Sequence, residues 1–530
     1  MVFAMACGSP QATTQTGSTA GQPKMGGVLT DHQTQEVSEL DLMLAQQGGV
    51  NFLAFRAYDS LLHIKTGPDL AWTDAVIEPG LAEKWEVSAD AKIYTYHLRK
   101  GVKFANLPPV NGREMTAADI KWSLEYYSRV GQFKDVKTRS ANQMLPRVNQ
   151  IDKVETPDPY TVVVTMKDSW APFLYFSAEG KIGILPKEVY DADGDFSKRP
   201  IGTGAYQLDK EASQTDSRMV YTKNPNYWQA GKPYLDAIRT VIIKEDNAKL
   251  AAFQTKQLDM FEPAFIDQVD AIKKVVPDVQ FARGLGNHGF RVWFNIQVPP
   301  FNNLKFRQAL SYATDREEFV RAFTKGEGQW GVDGGVPGLF TQDELKKMER
   351  YDPEMAKKLL AESGYKGEKL EFNYAATTDQ TTNDVLLLQA QFKKVGIDFY
   401  LTAQDRATVS GRQKVGDFQF QTTGTSAGEF EPDFYTYSYF HSKSPNNNYN
   451  LIGPATDPKL DQLVEATRRE ADIAKRKESL RTAVTYIHEN GQSLWVYYAP
   501  IFFFWQPYVK NYYPGSPSYL QRPADLWVDK

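Results

Sequence analysis

Along residues 92–98 polar and apolar positions alternate, with Tyr94, Tyr96 and Leu98 on one face and Ile93, Thr95 and His97 on the other. A period of two, filled by aromatic and β-branched residues, predicts a strand. Residues 154–166 hold a second strand pair containing the run Thr161-Val162-Val163-Val164-Thr165-Met166. Asn111-Gly112 predicts a tight turn, because both residues tolerate positive φ. Thr116 with Asp119 three residues on has capping-box spacing and opens a helix that buries Ile120, Leu124 and Tyr127. Helical spacing returns at 246–259 (Ala248, Ala251, Phe253) and at Phe306, Ala309, Leu310 and Ala313. Thr314 with Glu317 reads as a second capping box, restarting a helix that buries Phe319, Val320 and Phe323.

Further on, Asp352 caps a helix with Pro353 in its first turn and Gly364 at its end. Leu370–Tyr374 reads as a strand, followed by a helix through Val395-Gly396-Ile397 and another strand. This β-α-β rhythm predicts an α/β lobe with a largely parallel sheet. A long amphipathic helical region spans 458–489, and strand-like Leu494–Tyr498 follows it. No internal repeat is visible.

Length and composition narrow the function classes. A chain of 530 residues has room for two or more domains. A net charge of -4 excludes nucleic acid as the main partner, which would demand a basic excess. The single cysteine, Cys7, allows no intramolecular disulfide and no thiolate cluster. The six histidines are far apart and never at metal-ligand spacing, so neither metal nor cofactor is expected. The 28 Tyr, 30 Phe and 10 Trp mostly serve packing, but they also suit a cleft that stacks on a ligand.

Several blocks carry a resemblance. They are Leu81-Ala82-Glu83, Trp85-Glu86-Val87-Ser88, Tyr94-Thr95-Tyr96, His97 through Phe104, and Thr116-Ala117. Downstream come Pro200-Ile201-Gly202-Thr203-Gly204-Ala205-Tyr206, Asn224-Pro225-Asn226-Tyr227-Trp228, Phe294-Asn295, Arg307 through Ala313, and Lys358 through Tyr365. In this order they resemble the family 5 extracellular solute-binding proteins, the binding components of peptide, nickel and oligosaccharide ABC importers. The resemblance implies an α/β, two-lobed periplasmic-binding-protein fold (class II, cluster C type), with an extra subdomain in the N-terminal lobe and a ligand cleft between lobes. The expected N-terminal lobe covers 26–285 with the subdomain at about 66–195, the C-terminal lobe 286–500, and residues 501–530 return to the first lobe. The function implied is hinge closure over a solute and delivery to a membrane permease by a non-enzymatic, monomeric receptor. Gly202-Thr203-Gly204 reads as a turn that lets the backbone approach a neighbour closely. Arg307 reads as a structural ion-pairing residue.

Residues 1–25 read as a signal-peptide remnant, lipidation cysteine and tether. Met1–Ala6 ends in small residues before Cys7, although Ala4 stands where a bacterial lipobox usually has Leu. The Gly/Ser/Thr-rich residues 8–25 would span roughly 23 Å. Lipidation of Cys7 would place the protein outside the cytoplasmic membrane, in the periplasm or extracellular space.

Specificity is read from residues 424–433, Gly-Thr-Ser-Ala-Gly-Glu-Phe-Glu-Pro-Asp. Peptide-binding members carry here a pattern like W-x-A-D-Y-x-[DE]-P, whose aspartate pairs with the peptide's α-ammonium. Alignment through Ala427 and Glu431-Pro432 puts Gly428 at that aspartate and Thr425 at the tryptophan. The departure favours a neutral, polyhydroxylated solute such as an oligosaccharide. The alternative is a peptide held by Glu429 instead. Ligand-binding candidates are Thr425, Ser426, Gly428, Glu429, Phe430, Trp330 and Tyr435. A secreted hydrolase using Glu429 and Glu431 is a third reading, but no nucleophile elbow, H-E-x-x-H or P-loop accompanies that pair, and no catalytic residue is assigned.

Overall fold

Strand Ile93–Leu98 forms where the alternation places it, with Tyr94, Tyr96 and Leu98 buried. It pairs antiparallel with Ala82–Val87 on one side and Thr161–Met166 on the other, and Ile151–Asp158 completes a four-stranded sheet. The buried phenols keep partners: Tyr94 Oη donates to the Trp170 carbonyl at 2.8 Å and Tyr96 Oη to Ser177 Oγ at 3.1 Å. Asn111 and Gly112 adopt φ of 55° and 69°, as their turn requires. Helix Ala117–Ser128 then begins with the Thr116 amide donating to Asp119 Oδ2 at 2.9 Å, and Ile120, Leu124 and Tyr127 are buried.

The computed structural model describes residues 21–37, 39–43, 50–70, 76–134, 145–263, 266–331, 338–348, 350–423, 431–444, 457–491, 493–514 and 522–530. Cys7 lies outside them. These residues divide into two compact units, one running to residue 284 and resuming at 502, the other covering 285–501. The long strands Gln280–Phe294 and Ser493–Trp505 carry the chain across that division. In the first unit a second sheet runs in the order Val28–Gln33, Ala237–Ile242, Arg218–Lys223, Tyr206–Gln214. Arg56 is fixed beneath it by the Asp31 carboxylate and by Thr240 Oγ1 at 2.6 Å. Trp505, at the end of strand Ser493–Trp505 and paired with Met260, is buried as well.

In the second unit Phe420–Thr422, Leu370–Ala375 and Phe399–Gln404 are parallel neighbours, whereas Gln280–Phe294 joins Phe420–Thr422 antiparallel. The sheet is therefore mixed, and parallel only across its β-α-β part. Consecutive residues Trp293 and Phe294 enter different core clusters, as the alternation of a strand dictates. Phe294 joins Phe301, Phe306, Phe372 and Phe420, while Trp293 joins Tyr435, Phe440, Val464 and Trp495.

Two local expectations need correction, at Thr314 and Arg307, and the helical region at 458–489 gains detail. The cap of helix Arg316–Thr324 is Asp315, which accepts from the Glu318 amide at 3.0 Å. Thr314 Oγ1 instead donates back to the Leu310 carbonyl at 2.8 Å. Residues 458–489 form two helices, Pro458–Arg469 and Ile473–Glu489, because Asp472 caps the second by accepting from the Lys475 amide at 3.0 Å. Arg307 is structural, but its guanidinium donates to the carbonyls of Phe301, Asn490 and Gly491 at 2.7–2.9 Å rather than to a carboxylate. Burial without a counter-charge pushes it down to about 10.

Asp384 is a buried carboxyl that accepts from Tyr497 Oη at 3.0 Å and Gln380 Nε2 at 3.1 Å. Burial pushes it up to about 7. Between about pH 4 and 7 the folded chain thus keeps a proton that the unfolded chain has lost, so this group erodes stability as pH rises. Asp384→Asn is expected to match the parent protein near pH 4 and to exceed it at pH 8 by on the order of 2–4 kcal/mol. Urea denaturation at both pH values checks this, and a pH-independent gap would refute it.

Candidate functional site

Strand Phe420–Thr422 delivers the chain to the segment that carries the specificity reading, and helix Pro432–Phe440 takes it away. Thr425, Ser426, Gly428, Glu429 and Phe430 lie outside the described residues, but both borders of the segment are well defined. On the strand side, Arg406 Nε donates to the Thr423 carbonyl at 3.1 Å. Within the strand, Gln421 stands opposite Trp293 on one neighbour and Asn373 on the other. Gln421 and Asn373 are both fully buried. On the helix side Glu431 is the cap, accepting from the Asp433 amide at 3.0 Å with Pro432 in the first turn.

Both acidic residues at this border are already committed. The two Glu431 carboxylate oxygens meet the fork of Arg476, with Nη1 to Oε2 at 2.9 Å and Nη2 to Oε1. Asp433 pairs with Arg468 Nε at 2.9 Å, and the Arg468 guanidinium lies 3.7 Å from the Tyr437 ring centroid. Glu431 and Asp433 are 2% and 4% exposed, so neither reaches out to a ligand cation.

Behind the helix, Arg291 is set among aromatic rings. Its Cζ lies 3.2 Å from the Trp293 ring centroid, 4.6 Å from Tyr435 and 5.2 Å from Trp495, and Nη2 donates to Ser493 Oγ at 3.1 Å. Tyr435 is 1% exposed, so its ring is part of this packing. Trp330 belongs to the other core cluster, where it is 9% exposed and Nε1 donates to Glu317 Oε2 at 3.0 Å. The two aromatic candidates are therefore not brought together. Sequence reasoning missed Arg291 altogether. Its one signal was an arginine two residues before a tryptophan on a strand, which puts both on one face. Among the described residues no group of three or more His, Cys, Asp or Glu is arranged to hold a metal ion. No helix among them is long and apolar enough to cross a membrane.

Residues 76–447 match the family model for bacterial extracellular solute-binding proteins, family 5. The dipeptide-binding protein of Escherichia coli (strain K12) is 29% identical over 476 residues, covering 86% of each chain. Heme-binding protein A of Haemophilus influenzae is 27% identical over 488 residues, 88% of this chain and 85% of that protein. Among solved structures, the ABC transporter-associated periplasmic binding protein DppA of Helicobacter pylori, in complex with the peptide STSA, superposes with a TM-score of 0.77 at 23% identity, over 96% of this chain and 99% of that one. With the family model spanning well over half of the sequence and the fold shared along nearly all of it, the chain belongs to the bacterial extracellular solute-binding proteins of family 5, two-lobed substrate-binding components of ABC importers.

Proposed function

We propose that the chain captures a peptide-sized solute that carries no α-ammonium group, a neutral oligosaccharide before others, and hands it to a membrane permease without turning it over. The observation that carries this reading is the commitment of Glu431 and Asp433 to Arg476 and Arg468, together with glycine at position 428. A desolvated ammonium needs an acidic partner, and the borders of the segment supply none. Thr425, Ser426, Gly428, Glu429 and Phe430 would line the solute, with Tyr435 and Trp330 supporting it from the packed interior. Lipidated Cys7 and residues 8–25 would tether the receptor to the outer face of the cytoplasmic membrane.

The second reading, a peptide anchored on Glu429, is favoured by the relatives named for dipeptide and glutathione binding. Mass spectrometry of solute co-purifying with the protein separates the two, backed by thermal unfolding with maltotriose and with trialanine. A saturating solute at about a hundredfold excess over Kd stabilises by about 2.7 kcal/mol, a readily measured shift. Recovered peptides, or stabilisation by trialanine that Glu429→Gln abolishes, would replace the neutral solute with the peptide.

A further inference from the structure

We propose that His63, in the first unit, is a pH-sensitive clasp: neutral, it holds the start of the C-terminal segment 522–530, and protonated, it lets go. The ring lies between two partners that make opposite demands. Nε2 is 2.5 Å from Asp59 Oδ1, and Nδ1 is 3.0 Å from Arg522 Nη1. A guanidinium has only donors, so Nδ1 must be the bare acceptor, and the ring proton sits on Nε2, where it is donated to Asp59. The neutral ring satisfies both neighbours in that one tautomer. A second proton can go only on Nδ1, where it removes the acceptor that Arg522 uses and sets two cations face to face.

The surroundings hold this arrangement and leave Arg522 a way out of it. His63 is 4% exposed, on strand Leu62–Ile64. Trp228 stacks on it at 6.4 Å, and the indole Nε1 donates to Asp59 Oδ2 at 2.7 Å. Asp59 thus has both oxygens engaged. Arg522 has acceptors elsewhere, since Nη2 donates to Glu78 Oε1 at 2.7 Å and lies 3.6 Å from Asp525 Oδ2. It can leave the ring without being stranded. The other charges nearby are Arg99, 4.8 Å from the Trp228 ring centroid, and Glu179, which is paired with Arg147 and Lys181. Glu179 shares with Asp59, His63 and Arg522 the wall of a cavity of about 30 Å³, which has room for one or two waters and so for a proton to reach the ring.

Release loosens the start of the segment rather than detaching it. Ala524, Leu526 and Trp527 are buried, Trp527–Val528 pairs with Val509–Lys510, and Lys530 Nζ donates to Asp259 Oδ1 at 2.7 Å. The inference is independent of which solute is bound, because every group involved lies in the first unit.

The test is amide hydrogen exchange of the full chain, read on the peptide covering 522–530 at about pH 8 and about pH 5, the range over which imidazole changes charge, with the intrinsic pH dependence divided out. The reporters are the Asp525 and Leu526 amides, which donate to the Arg522 and Pro523 carbonyls at 3.4 and 3.2 Å. Their protection is expected to fall roughly tenfold in acid, the size of one lost hydrogen bond to a charged group. Strand Ile93–Leu98 should keep its own protection. His63→Gln offers an acceptor and a donor that do not titrate, and should hold the protection level at both pH values. Arg522→Met removes the partner instead and should show the low protection at both; it also serves if the glutamine variant does not fold. An acid loss that is absent from the parent protein or present at full size in His63→Gln, or full protection of Arg522→Met at the higher pH, would each overturn the proposal.

Discussion

Gly204→Ala is expected to cost about 3 kcal/mol or more of folding stability, at or beyond the upper end of ordinary overpacking. A Cβ at this position would lie 2.4 Å from the Arg56 carbonyl oxygen, 2.5 Å from the Ala57 carbonyl carbon and 2.6 Å from the Tyr58 nitrogen. All three are backbone atoms, so no rotamer change makes room. Nor can the glycine segment retreat, because the Gly204 amide donates to the Ala57 carbonyl at 3.1 Å and the Gly204 carbonyl accepts from Asn224 Nδ2 at 2.8 Å. Moving residues 56–58 instead would disturb Arg56 and its buried pairing with Asp31. Gly411, in helix Arg406–Val415 with open space around it, is the matched control. Alanine there should be neutral or stabilising by up to about 1 kcal/mol. Urea denaturation of both variants decides the matter, and a Gly204→Ala loss under about 0.5 kcal/mol would show that the close approach is not what the glycine is for.

The Pro200–Tyr206 motif is a case in which a local signal was enough. Two glycines flanking a threonine said that another backbone comes near, and only the identity of that backbone, residues 56–58, had to come from the fold. The same holds for Ile93–Leu98, for Asn111-Gly112 and for the Asp352 and Gly364 ends of helix Pro353–Ser363, since each rests on neighbours within a few residues. Thr314 shows the limit of such reading. Spacing offered Thr314 and Glu317 as a capping pair, but Asp315 competes one position on, and its carboxylate is the better acceptor for an amide at a helix start. In the sequence the candidate site rests mainly on an expected absence, the aspartate that the resemblance would place at position 428, where this chain has glycine. Arg291 among its rings and the Arg468–Asp433 pair were not legible, because nothing near Arg291 in sequence announces Tyr435 or Trp495. The hydrolase reading met the same difficulty. The sequence lacked the motifs that would accompany such a pair, but that Glu431 is engaged by Arg476, 45 residues away, came only from the fold.

That partnership makes Glu431→Ala the substitution from which we expect the largest loss, about 3–5 kcal/mol for the pair plus about 1 kcal/mol for the cap. Glu431 is 2% exposed and serves two elements at once, closing the start of helix Pro432–Phe440 and receiving the fork of Arg476 from helix Ile473–Glu489. Truncation strips the Arg476 guanidinium of its carboxylate in a buried position, where the desolvation cost stays and the attraction is gone. Glu431→Gln should fall between, since an amide oxygen still caps the helix but carries no charge. Arg476→Met in the Glu431→Ala background should recover part of the loss, because removing the stranded charge is cheaper than keeping it. Solute affinity should follow the same order, as this helix fixes one end of the segment at 424–430. The informative measurement is therefore a double-mutant cycle read twice, once by urea denaturation and once by binding of the co-purified solute. If Glu431→Ala lost less than about 1 kcal/mol, or if Arg476→Met added its own full penalty on top, the pair would be an ordinary surface contact and the argument that it frees no carboxylate for a ligand would fall with it.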